Sequence, residues 1–289
     1  MRSPSCRWDR GSRRARRVSR GRRHALGQHF LIDGEVAQRA IRLAELEPGA
    51  RVLEIGPGRG ALTDGLRAAG HPVVAVELDE SLADALEQRR DPDLRVVRGD
   101  FLRVDLDTLG EGPLPVVANL PYSTGTAIVS RLLEEPGRFP RLVVMLQLEV
   151  AERLCAQPGS RSYGGLTVLC ALQATAAMGF VVPPRAFAPP PKVDSAILRL
   201  DATTVPRADV GDRRLFRRVV RTAFGQRRKT LRNALSAGFG SLAATTMLER
   251  AAIDARRRAE TLSLDEFATL ARAAGTLDLE QAPSGPGCA

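Results

Sequence analysis

Five short runs rich in Val, Ile and Leu recur between residues 51 and 147: "RVLEI" (51–55), "HPVVAVEL" (71–78), "LRVVRGD" (94–100), "LPVVANL" (114–120) and "RLVVMLQ" (141–147). Stretches with helical spacing, such as "EVAQRAIRLAEL" (35–46), "ALTDGLRAAG" and "SLADALEQRR", alternate with them. This alternation constrains the chain more than any other feature. Strands alternating with helices imply a mostly parallel sheet covered by helices. The runs are close to continuously apolar, as strands buried on both faces are. The expected class is therefore α/β, a Rossmann-like layer arrangement. Further on, "GFVVPPRAF" and "KVDSAILRL" (192–200) read as two strands separated by a Pro-rich loop, able to add an antiparallel edge.

After Leu200 the pattern changes. "DATTVPRADVGD" reads as a linker, and "RRLFRRVVRTAFGQRRKTLRNALSAG" reads as helical, followed by two more helical stretches. The expected organisation is an Arg-rich extension over 1–23, a large domain over 24–202, a small all-helical domain over 203–275 and a loose tail over 276–289.

Charge sharpens this division. The formal net charge is +10, and residues 1–23 hold ten Arg against one Asp, leaving about +1 (10 − 9) for the rest. Within that rest, residues 213–232 hold eight Arg and one Lys and no acid. A nearly neutral body with one basic segment suits a polyanionic partner. The first 23 residues are too poor in apolar content to fold alone. They lack the Leu and Phe stripe of an amphipathic presequence, which favours an extension or an RNA-binding arm over a transit peptide. No apolar run reaches the length of a membrane span, and the start has no secretory core. Cys6, Cys155, Cys170 and Cys288 are scattered, so a cytoplasmic protein with reduced thiols and no metal site is expected.

The segment "VLEIGPGRGALT" (52–63) is strand, Gly-rich turn and helix start. Gly56, Gly58 and Gly60 let the backbone approach a ligand. The order is not the GxGxxG of dinucleotide folds, and Pro57 removes a donor a pyrophosphate would need. An NAD-dependent dehydrogenase is disfavoured accordingly. Glu77 ends the next strand, where a carboxylate can accept both ribose hydroxyls of an adenosine moiety. Asp100 ends the third and can accept from an adenine amine, with Phe101 packing on the ring. Any one of these features also serves as a tight turn or a helix cap. Placed at the ends of three successive strands, they mark a ligand crevice.

"NLPY" (119–122) follows the fourth run. With it the chain resembles class I S-adenosylmethionine-dependent methyltransferases, and more narrowly the rRNA adenine dimethylase family. The stretches that carry the likeness include "LGQHFL" (26–31), "EIGPGRGALT", "NLPYSTGTAIVSRLL", "MLQLEVAERL" (145–154), "SRSYGGLTVL" (160–169), "VPPRAFAPPPKVDSAILRL" (182–200) and "AFGQRRKTLRNAL" (223–235). The last two resemble the housekeeping small-subunit branch and not the antibiotic-resistance branch that modifies large-subunit rRNA.

The resemblance implies S-adenosylmethionine as cofactor, held by His29, Leu31, Gly56, Gly58, Glu77, Asp100, Phe101 and Asn119. It implies two adjacent adenines near the 3′ end of 16S rRNA as target, and a monomer acting on the small subunit. Asn119 and a carbonyl of the Leu120–Pro121 bend would hold the adenine amine. Tyr122 would stack on the ring, with Phe187 either covering its opposite face or serving as a core or loop anchor, and Arg227, Arg228, Lys229 and Arg232 would bind RNA, with Arg228 and Arg232 one helical turn apart. A binding protein using the same fold without turnover, in ribosome assembly or transcription, is the other reading. Two departures from the family's usual wording stand out. His29 replaces a common Asn, with its ring expected to donate to the cofactor carboxylate. Ser123-Thr124-Gly125 replaces an Asn-Ile-Ser run, read as a change in helix capping.

Overall fold

The structure, a computed structural model, describes residues 29–277. The expectations for residues 1–23, for Cys6 and Cys288 and for most of the tail lie outside those residues.

The first element is a two-residue strand, β1 (Phe30–Leu31), followed by α1 (Gly34–Leu43). Asp33 starts that helix by accepting from the backbone N–H of Glu35 and Val36 at 3.0 and 3.2 Å. Then come β2 (Val52–Ile55), α2 (Ala61–Ala68), β3 (Val73–Glu77), α3 (Glu80–Glu87), β4 (Leu94–Arg98), β5 (Val116–Asn119), α4 (Gly125–Leu133) and β6 (Arg141–Gln147). Two short helices follow, α5 (Leu148–Leu154) and α6 (Gly165–Ala171), then β7 (Ala174–Val182), β8 (Phe187–Ala188) and β9 (Ser195–Ala202). Four helices close the chain: α7 (Arg213–Phe224), α8 (Leu231–Phe239), α9 (Ser241–Arg250) and α10 (Leu264–Gly275).

Seven strands form one sheet in the order β4-β3-β2-β5-β6-β9-β7. The first five run parallel, and β9 and β7 add the antiparallel edge. Alternate side chains explain why the strands read as unbroken apolar runs. Leu53, Ile55, Val74, Val76, Val116 and Val144 face one core with Ile128, Val129 and Leu132 of α4. Val52, Val73, Ala75, Val117 and Val143 face the other with α1 and α2. Both faces are thus covered, as the sequence pattern demands.

A separate core joins Phe216, Val219 and Val220 of α7 to Leu235, Met247, Phe267 and Leu270 of the later helices. Tyr163, Val168 and Leu172, from in and around α6, belong to this core although they precede the last two strands of the large sheet. The expected single helical stretch from 213 is two helices. It stops at Gly225 and restarts at Thr230, whose side chain caps α8. Residues 225–230 form a turn, so Arg228 and Arg232 do not share one helix face. Among the described residues no helix is long and apolar enough to cross a membrane.

The strand pair β1–β8, absent from the sequence reading, runs antiparallel with Leu31 opposite Phe187. It fixes the segment that carries His29 across the mouth of the sheet.

Candidate active site

The carboxyl ends of β2, β3, β4 and β5 converge on one cleft of about 1170 Å³, counting its open mouth. It lies where the chain order reverses between β2 and β5, the place at which open α/β sheets bind ligands. His29, Leu31, Gly56, Gly58, Glu77, Asp100, Phe101, Asn119, Leu120, Pro121 and Tyr122 all line it.

The glycine loop is built for close approach. Gly58 has φ +58°, and a Cβ there would stand 2.8 Å from the Phe30 ring. The loop is held by Glu77, which is 3% exposed. One carboxylate oxygen accepts from the Gly58 N–H at 3.0 Å and the other from the Asp79 N–H at 2.8 Å. Burial raises the Glu77 pKa, and these two bonds oppose that shift. A carboxylate has about four lone-pair sites, so Glu77 keeps acceptor capacity for a ligand hydroxyl. Asp100 spends one oxygen on the Leu102 N–H at 2.9 Å, in the manner of a turn residue, and still lines the cleft.

At the opposite wall, the Asn119 amide nitrogen donates to the His29 carbonyl at 3.1 Å. A carbonyl can only accept, so this bond turns the Asn119 oxygen toward the cleft. The His29 ring bonds through Nδ1 to the Pro189 carbonyl at 2.8 Å, so Nδ1 is the donor. In the neutral ring Nε2 is then an acceptor. Donation to a cofactor carboxylate, the role expected for His29, requires the ring to carry a second proton.

The Tyr122 ring centroid lies 5.5 Å from that of His29, and its hydroxyl meets the buried Ser195 Oγ at 2.5 Å. Burial raises the Tyr122 pKa, with the Ser195 bond opposing. The hydroxyl is therefore no base near neutrality. The Pro121 carbonyl already accepts from the N–H groups of Thr124 and Gly125, at 3.1 and 2.7 Å.

Two expectations change. Phe187 does not line the cleft: it is 2% exposed and packs in the core that holds Leu31, Val182 and Ala186, where it anchors the β1–β8 pair. The Ser123-Thr124-Gly125 stretch does not act through side-chain capping, because Thr124 makes no side-chain cap bond. Its third residue matters for packing instead. A Cβ at Gly125 would stand 2.4 Å from Leu146 Cδ2. The glycine lets α4 start directly against β6.

Comparison with known proteins decides the family. Residues 20–274 match the family model described as ribosomal RNA adenine dimethylase. The chain belongs to this family. It is 48% identical over 248 residues to the ribosomal RNA small subunit methyltransferase A of Syntrophotalea carbinolica, covering 85% of this chain and 94% of that one. The protein of the same name from Moorella thermoacetica is 46% identical, covering 86% and 91%. Among solved structures, the fold is similar to a dimethyladenosine transferase from Plasmodium falciparum, with TM-score 0.71 at 23% identity over 84% of this chain and 96% of that one. The 23S rRNA methyltransferase ErmE superposes with TM-score 0.64 at 27% identity, covering 85% and 99%.

In this dimethylase the residues fit S-adenosylmethionine. Glycine-loop backbone, two strand-end carboxylates and apolar walls from Leu78 and Phe101 offer partners for a nucleoside. Sequence reasoning gave no role to Glu54, a 1% exposed carboxyl in the same cleft. Burial pushes its pKa up to about 8, and the bond it accepts from Thr63 at 2.6 Å opposes this. The available signal was a charged residue inside a run buried on both faces. Ser195 was missed because nothing in sequence ties it to Tyr122, 73 residues away.

The four cationic residues assigned to RNA are exposed and lie on the α7–α8 turn and the first turn of α8. Arg227 donates to the Arg161 carbonyl at 2.7 Å, which ties the turn to the loop before α6. Cys155 and Cys170 are free, and burial pushes the Cys170 thiol up to about 12, so it is inert near neutrality.

Proposed function

We propose that the protein transfers methyl groups from S-adenosylmethionine to N6 of two adjacent adenines in the 3′-terminal hairpin loop of 16S rRNA. It would act as a monomer on the small subunit in the cytoplasm, during that subunit's biogenesis. The names and near-complete coverage of the curated relatives support the small-subunit target. The observation that carries the chemistry is the orientation of Asn119, fixed by its bond to the His29 carbonyl.

The N6 lone pair of adenine is delocalised into the ring, so the amine is a poor nucleophile until it is pyramidalised. Asn119 Oδ1 accepts one N6 hydrogen and the Leu120 carbonyl accepts the other. The Pro121 carbonyl is committed to the start of α4, which leaves the Leu120 carbonyl as the bend's acceptor. S-adenosylmethionine, when bound, supplies a methyl group on a sulfonium as the electrophile. Glu77 and Asp100 would hold its ribose and adenine. No residue of the bend is a base, and the proton lost from N6 passes to water. Orientation then supplies most of the acceleration. The base must leave its stack, at a cost of a few kcal/mol. The Tyr122 ring offsets this by roughly 1–3 kcal/mol of stacking.

The decisive experiment is methylation of purified, under-methylated small subunits with labelled cofactor, followed by mapping of the modified bases. Two dimethylated adenines in the 3′-terminal loop are expected. Label in large-subunit rRNA would move the chain to the resistance branch, and no label at all would favour a binding role without turnover.

A further inference from the structure

The two halves of the cleft are joined by α4. Its first turn grows out of the Asn119–Tyr122 bend, through the bonds from Thr124 and Gly125 to the Pro121 carbonyl. Its last turn carries Arg131, whose guanidinium reaches across to the loop after β4. One nitrogen donates to the Phe101 carbonyl and the other to the Val104 carbonyl, at 2.6 Å for the latter. The same group lies 5.4 Å from the centroid of the Phe101 ring. No carboxylate pairs with Arg131 among the described residues. Its planar donors are committed to two carbonyls of a single turn, a geometry that a point-charge ammonium cannot reproduce.

That turn is the one that presents Asp100. Just before Asp100 the Gly99 N–H donates to the Glu77 carbonyl at 2.8 Å, and just after it Phe101 packs in the core; the remaining bonds are local, the Asp100 carbonyl accepting from Arg103 and Val104, both at 2.8 Å, and the Asp100 carboxylate from Leu102. The local bonds shape the turn, and the Gly99 bond ties its entry to the end of β3. Arg131 supplies a polar anchor from outside, on a helix that is itself packed into the core through Ile128, Val129 and Leu132.

We infer that Arg131 is a positioning residue that sets the preference for adenine in the cofactor, by holding the Asp100–Val104 turn at the height where Asp100 meets the base amine. This rests on the proposed placing of the cofactor adenine at Asp100 and Phe101.

The test measures binding of S-adenosylhomocysteine and of its inosine analogue, whose base carries an oxygen in place of the amine, to the full chain by calorimetry. Wild type is expected to prefer the adenine form by about tenfold or more, since a site built for a donor rejects an analogue lacking it. Asp100→Asn should erase the preference. Arg131→Met should lower it at least about fivefold, with unchanged affinity for the hairpin RNA, and Arg131→Lys should fall between. A wild-type preference in Arg131→Met, with the preference lost in Asp100→Asn, overturns the inference. A preference unchanged in Asp100→Asn overturns the reading of Asp100 itself. If the Met variant does not fold, the Lys variant decides: a preference equal to wild type sinks the anchor role.

Discussion

The side chain of Asn119 and the backbone carbonyl of His29 meet at 3.1 Å across 90 residues of chain. The contact makes one side chain serve two purposes, because it ties the N-terminal segment to the end of β5 and leaves the amide oxygen for the cleft that Asn119 lines, where the proposed chemistry uses it. Asn119→Ala should therefore lower methyl transfer by about 10²-fold or more, since misplacing a reacting group by an ångström has that effect. Cofactor affinity should fall much less, by about tenfold at most, the loss of one ordinary hydrogen bond. Asn119→Asp keeps an acceptor but sets a carboxylate against the His29 carbonyl, a repulsion that Ala does not introduce, so it should lose both turnover and cofactor affinity. Single-turnover methylation and calorimetry on each variant separate the two effects. Retained dimethylation by the Ala variant would remove Asn119 from the proposed chemistry.

Glu54 gives the protein a pH signature. In the folded chain its carboxyl keeps its proton up to about pH 8, against an ordinary value of 4.5. Between those values the folded state binds more protons than the unfolded state. The stability this group contributes is therefore complete below about pH 4.5 and declines as pH rises toward 8. Burial raises Glu77 in the same direction and adds to the decline. Asp201 and Glu266, held below their ordinary values in part by arginine partners, act only in more acid solution. Thermal melts should show wild type losing stability from about pH 5 to 8, and Glu54→Gln should flatten much of that slope. The variant should be the more stable protein at the alkaline end. Equal slopes would mean that Glu54 is ionised throughout.

The strands of the sheet were legible because both faces are buried, which leaves an unmistakable run of Val, Ile and Leu in each. Glu77, Asp100 and Asn119 were legible for a related reason: a polar residue directly after such a run has to stand at the sheet's carboxyl edge. What could not be read depends on long-range pairing. Nothing local marks Phe30–Leu31 as a strand, because two residues form one only when Phe187–Ala188 comes alongside. That pairing also buries Phe187, whose place in the Pro-rich loop suits a core anchor as well as a stack on the target base. The helix break at 225–230 was hidden by a basic pattern that continues through the turn.

The break alters what the basic segment can do. Arg228 and Lys229 sit exposed on a turn between α7 and α8, projecting from the helical domain instead of lining one helix. Replacing both by Ala should weaken binding of the hairpin RNA and reduce the slope of log K against log salt by about 0.7–0.9 for each phosphate that is no longer neutralised. Arg227→Ala should act differently, because its guanidinium already serves the Arg161 carbonyl. It should loosen the turn with a smaller change in slope. Filter binding over a salt series reads both quantities, and an unchanged slope in the double variant would place the phosphate-binding residues elsewhere.

Gly125 links the Asn119–Tyr122 bend to the core. An added methyl there meets Leu146 Cδ2, a side chain 2% exposed on the interior strand β6. Overpacking of this kind costs about 1–3 kcal/mol. Gly125→Ala should therefore destabilise the protein by about that amount and, by shifting the first turn of α4, disturb the Pro121 carbonyl and with it the Asn119–Tyr122 bend. Shortening the opposing side chain should relieve the clash: Gly125→Ala combined with Leu146→Val should recover stability relative to Gly125→Ala alone. A double-mutant cycle in urea measures the coupling, which is expected to be about 0.5 kcal/mol or more for residues that touch. Strict additivity would mean that the helix start is not held by this contact, and that the glycine at this position has no packing role.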